Sequence, residues 1–82
     1  MDRARFARAM KEIGAAYNHK FVVDDDVVIA WGKYFDEFDV AFFEHAVREW
    51  VLKNQKPPTI ADLIVPCRRM KSETELREKR RR

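Results

Sequence analysis

The chain has one cysteine, two glycines and three prolines among 82 residues. A lone Cys67 excludes an internal disulfide framework and fits a reducing cytoplasm. Two glycines are too few for a set of tight hairpin turns, and strong helix formers fill the rest, so an all-α fold is expected. No apolar run approaches the ~20 residues of a membrane span, and the start lacks a signal-peptide apolar stretch. Catalytic signatures are missing too: there is no HExxH, no CxxC, no phosphate-binding glycine loop and no Ser/His/Asp set. The expectation is a protein that is not an enzyme and uses no cofactor.

Aromatic residues are what the chain has: six Phe, two Tyr and two Trp. A single domain of this size buries only about 60% of its unfolded surface, so aromatic packing must contribute heavily. Charge is unevenly spread. Residues 66–82 carry eight Lys/Arg against three Asp/Glu, a net of +5, whereas residues 1–65 carry nine against eleven, a net of −2. Within the latter, 24–49 holds two basic and eight acidic residues, a net of −6. An acidic helical body with a basic end reads as a domain with an interaction tail.

Helical periodicity divides the body into four elements. Phe6, Met10, Ile13 and Tyr17 recur at steps of four, three and four, which is one face of a helix from about Asp2 to Tyr17. Asn18-His19-Lys20 reads as a turn, and Phe21-Val22-Val23 as an extended plug whose side chains close one end of the core. Asp24-Asp25-Asp26 opens a second helix, with Asp24 or Asp25 as its cap and the remaining acids favouring its positive end; its expected buried face is Val27, Val28, Trp31, Tyr34, Phe35 and Phe38. Asp39 caps a third, from about Val40 to Asn54, with Val40, Phe43, Ala46, Val47, Trp50 and Val51 as its stripe. Pro57 and Pro58 stop that helix, and Thr59 with Asp62 is placed to start the fourth, which docks through Ile60, Leu63 and Ile64. Pro66 then predicts a kink or stop near Val65, because it removes a hydrogen bond and clashes with the preceding turn at ~3 kcal/mol. The expected fold is a small four-helix orthogonal bundle over 1–65, followed by a flexible basic tail over 66–82, frayed helix or disordered.

Candidate sites are few. Trp31 and Trp50 could stack on single-stranded nucleic acid, but their place on apolar stripes makes core packing the better reading. His45 and Glu49 lie four apart, yet two ligands do not make a metal site, and neither His19 nor Cys67 has useful spacing. The acids at 24–26 lack the alternation of a calcium loop. A helix-turn-helix reader would use the third helix, which leans acidic and is repelled by a DNA groove. Two features remain as partner-binding candidates. One is Phe42, which turns away from the main stripe and either covers an edge of the first helix or joins a protein-binding patch. The other is the set of tail cations: Arg68, Arg69, Lys71, Arg77, Lys79, Arg80, Arg81 and Arg82. Glu73, Glu75 and Glu78 interrupt these, and the pairs Glu73–Arg77 and Glu75–Lys79 favour a helix that orders on a partner.

The ordered series Tyr17, Phe21-Val22-Val23-Asp24-Asp25, Val28, Trp31, Phe38-Asp39, Ala46-Val47 and Lys56-Pro57-Pro58-Thr59-Ile60-Ala61-Asp62-Leu63 resembles the phage-encoded loader and inhibitor of replicative helicases. The likeness covers roughly residues 5–65, the N-terminal helical domain of that family. It implies a non-enzymatic adapter that holds a hexameric DnaB-type replicative helicase inactive and delivers it to an origin-bound replication protein, in the host bacterial cytoplasm. It also implies that the C-terminal part engages the helicase; in this chain residues 67–82, led by Arg68, Arg69, Lys71 and Arg77, are the expected contact. No membrane partner is expected, and direct nucleic-acid binding would be weak. Two alternatives stand beside this: a small nucleic-acid-binding accessory protein acting through its basic tail, and an inhibitor of another host protein.

Overall fold

The computed structural model describes residues 1–18 and 20–80, so His19, Arg81 and Arg82 fall outside the described residues. Four helices follow one another: α1 (Arg3–Ala16), α2 (Asp25–Phe35), α3 (Val40–Lys53) and α4 (Ile60–Arg80). Among the described residues there is no strand. The all-α bundle is what the periodicity predicts.

Each helix starts where a side chain can accept from its free N–H groups. The carboxylates of Asp2, Asp24 and Asp39 take the amides of Arg5 (3.1 Å), Val27 (2.9 Å) and Ala41 (3.0 Å). At α4 the arrangement is reciprocal. The Asp62 amide donates to Thr59 Oγ1 at 3.3 Å, and the Thr59 amide donates to Asp62 Oδ2 at 2.9 Å. α1 ends in a turn where Asn18 takes the left-handed conformation (φ 54°), which asparagine tolerates better than most residues.

The core gathers Phe6, Met10 and Ile13 of α1, Trp31 and Phe35 of α2, Phe43 and Val47 of α3, and Leu63 and Cys67 of α4. Phe35 is its hub: the ring centroids of Phe43, Phe6, Trp31 and Phe38 lie 4.8, 6.1, 6.2 and 6.4 Å away. α1 packs on α3 and α2, and α4 on α3 and α2. Arg5 and Glu44 form an ion pair that ties α1 to α3.

The corner before α4 is held from two sides. Tyr17 Oη donates to the Asn54 carbonyl at 3.0 Å, and Trp50 Nε1 donates to the Lys56 carbonyl at 2.8 Å. The loop therefore hangs on α1 and α3, with Pro58 buried beneath it.

Three expectations change. Tyr34 is 59% exposed rather than buried; it lies about 100° round the helix from Phe35, and its hydroxyl stays in water. In the plug, Phe21 and Val23 pack against the core but Val22 is exposed, because alternate side chains of an extended segment point opposite ways. The largest change is in α4, which does not stop near Val65 but runs through Pro66 to Arg80. Cys67 is fully buried and Met70 packs on the core, so one helical turn beyond the proline is anchored by tertiary contact. Lys71 adds a cation–π contact, its Nζ 5.6 Å from the centre of the Phe38 ring. That burial outweighs the missing hydrogen bond to the Asp62 carbonyl.

Candidate protein-binding surface

α4 has two parts with different surroundings. From Ile60 to Lys71 its inner side carries Leu63, Cys67 and Met70 against the bundle. From Ser72 to Arg80 every residue is exposed. The longest dimension of the molecule, 46 Å against 25 and 17 Å, reflects a helix that is itself about 31 Å long.

The expected cations separate along this helix. Arg68 and Arg69 are exposed on the side away from the core, and Arg77 is exposed one heptad beyond Met70. Lys71 is half-buried over Phe38, so its charge is already partnered by an aromatic face. Phe42 is likewise half-buried against the core cluster. Sequence reading missed two apolar positions on the outer side of α4, Val65 (66% exposed) and Leu76 (53% exposed). They are eleven residues, three turns, apart and so share a face with Arg69 and Ser72. That spacing was the available signal, hidden by the surrounding charge.

The acidic surface is smaller than the count over 24–49 implies. Asp39 caps α3, Glu44 pairs with Arg5, and Glu49 pairs with Lys53 at 3.1 Å. The Lys53 hydrogen bond and charge hold the Glu49 carboxyl below the usual carboxylate range. Among the described residues, the acids of 24–49 with neither an ion pair nor a capping role are those around the two ends of α2: Asp25, Asp26, Asp36 and Glu37. His45 is exposed beside Glu49, and no group of three or more His, Cys, Asp or Glu comes together among the described residues. Burial pushes the Cys67 thiol up to about 11, which suits packing rather than ligation.

Both tryptophans serve the fold. Trp31 is boxed by Phe21, at 5.3 Å and edge-on, and by Phe35, while the indole N–H of Trp50 is committed to the α4 corner. One groove, of about 240 Å³, opens between the start of α1 and α2. Phe6, Val28, Ile29 and Gly32 form its apolar wall, and Arg3, Lys33 and Asp36 line it as well. No described helix is long and apolar enough to cross a membrane.

Comparison with curated proteins and with solved structures gave no match. The family model of the N-terminal domain of the phage helicase loader/inhibitor matches residues 1–64, from the capped start of α1 to the first turn of α4, and so the chain belongs to that family.

Proposed function

We propose that this protein is a non-enzymatic adapter of DNA replication initiation that binds a hexameric DnaB-type replicative helicase, holds it inactive and hands it to an origin-bound replication protein. The family places a helicase loader/inhibitor role at its own level. The observation that supports the finer reading is the exposed half of α4. Nine consecutive residues, Ser72–Arg80, continue a helix without burying a side chain. A free helix of that length is marginal in water, so it is propagated from the packed turns before it. Exposed Val65 and Leu76, flanked by Arg68 and Arg69, give a partner two apolar holds with charge beside them. Such charges chiefly steer and orient the encounter. The host bacterial cytoplasm, where that helicase works, is the proposed place of action.

The test is complex formation with the host's replicative helicase and ATP, read by size-exclusion chromatography with light scattering. Single-stranded DNA alone is the control. A stoichiometric complex with the hexamer, absent for DNA and lost when the chain is cut after Lys71, is the expected result. Salt-sensitive DNA binding with no helicase complex would transfer the function to the basic end of the chain.

A further inference from the structure

The outer sides of α2 and α4 carry opposite charges at the same spacing. On α2 the acids stand in two pairs, Asp25-Asp26 at its start and Asp36-Glu37 at its end, all exposed. Asp36 keeps helical backbone (φ −62°, ψ −26°), so the second pair continues the helical row. On α4 the cation pairs Arg68-Arg69 and Lys79-Arg80 are exposed in the same way. Eleven residues separate the two pairs in both helices, three turns or about 16.5 Å. Between its charged pairs each helix has one large exposed aliphatic side chain, Ile29 on α2 (62% exposed) and Leu76 on α4 (53%).

Residue order sets the orientation. Laid antiparallel with Ile29 against Leu76, Asp25-Asp26 comes level with Lys79-Arg80, and Asp36-Glu37 with Arg68-Arg69. The sides agree too. At about 100° per residue, Asp25 and Lys79 fall to one side of the apolar pair, and Asp26 and Arg80 to the other. Lys33, the cation on the α2 row, comes beside Glu73. Glu75, Arg77 and Glu78 lie more than a quarter-turn from Leu76 and stay outside the contact. A parallel pairing matches the outer charges as well, but lays Leu76 on Lys33. One chain does not make this contact with itself. α4 is a single helix to Arg80, and the ion pairs among the described residues, Arg5–Glu44 and Lys53–Glu49, involve neither row.

We propose that the outer face of α4 in one copy of this chain docks antiparallel on α2 of a second copy, so that the protein self-associates. The charges fix orientation and register, and the Ile29–Leu76 pair leaves water. Three turns make a small interface, so the association is weak, with Kd on the order of 10–100 µM. The face used includes Arg68, Arg69 and Leu76, which the adapter reading gives to the helicase. Self-association therefore covers the helicase contact, and helicase draws the copies apart. That competition rests on the adapter reading; the contact between copies does not.

The experiment is sedimentation equilibrium of the full chain from about 5 µM to about 1 mM, with thermal melts to check folding. The parent passes from monomer to a larger species across that range, and added salt weakens the shift. Asp36→Lys with Glu37→Lys weakens association about tenfold or more, as does Arg68→Glu with Arg69→Glu. Each swapped chain melts within a few degrees of the parent, because the positions are exposed. Leu76→Ser, which changes no charge, weakens association too. Mixed in equal amounts, the two swapped chains associate as tightly as the parent, since each reversed row then meets its reversed complement. Added helicase lowers the self-associated fraction of the parent. A parent that is monomeric at every concentration would overturn the contact and leave the helicase reading intact. Association that both swapped chains retain overturns it as well, as do folded swapped chains that stay monomeric when mixed. Copies that pair as described but bind no helicase uphold the contact and remove the adapter reading.

Discussion

Cys67 is followed by two arginines in the sequence, yet it sits in the middle of the core. Its thiol titrates near 11 because the charged form is cut off from water. The unfolded thiol ionises near 9, the ordinary value. Stability from this group is therefore complete below about pH 9 and is lost as pH rises towards 11, since only the unfolded chain releases the proton in that window. Urea titrations from pH 8 to 11 should show stability falling with a slope of at most about 1.4 kcal/mol per pH unit from this residue. Cys67→Val should flatten that slope. Tyr17, whose hydroxyl burial also raises, adds to the slope in the same direction. A thiol reagent should leave the native protein unmodified at pH 8 and label it in urea. Sequence reading assigned Cys67 to a solvated tail because Arg68, Arg69 and Lys71 dominate its neighbourhood. The steps of four and three linking Leu63, Cys67 and Met70 were the buried-face signal.

At the scale of the element, α1, α2 and α3 were legible nearly to the residue because their caps are local. Asp2, Asp24, Asp39 and Thr59 each satisfy an amide within three positions, and such short-range chemistry is written into the sequence. The end of α4 was not legible, because the proline rule is also local and here a tertiary contact overrides it. Pro66 still weakens the helix it occupies: the Asp62 carbonyl lacks its helical donor, and the ring crowds that carbonyl. Pro66→Ala should therefore raise stability by about 1–3 kcal/mol in urea unfolding, with helical content unchanged by circular dichroism. A loss of stability would mean that the proline shapes the docking of Cys67 and Met70, not merely that it is tolerated.

For the whole molecule, the legible part of the candidate site was its charge and the hidden part its apolar surface. The run of cations after Pro66 needs only counting, whereas the groove exists because α1 and α2 bring Phe6, Ile29 and Gly32 together across more than twenty residues. Tertiary position also decides where the chain can be cut. Ending it at Val65 removes Cys67 and Met70, and with them the only part of α4 beyond Pro66 that packs on the bundle among the described residues. Loss of a buried side chain costs about 2–5 kcal/mol, and a domain of this size rarely has more than about 3–5 kcal/mol in hand. A chain ending at Val65 should therefore unfold or melt tens of degrees lower, and its failure to bind helicase would say nothing about where the helicase binds. A chain ending at Lys71 keeps Cys67, Met70 and the Lys71 contact to Phe38, and the described residues it loses, 72–80, are all exposed. It should melt within a few degrees of the parent by circular dichroism. Measured side by side, the two truncations separate the part of α4 that builds the fold from the part that meets the partner; if the Lys71 chain unfolds as readily as the Val65 chain, the exposed half of α4 stabilises the bundle and its role as a free docking helix is wrong.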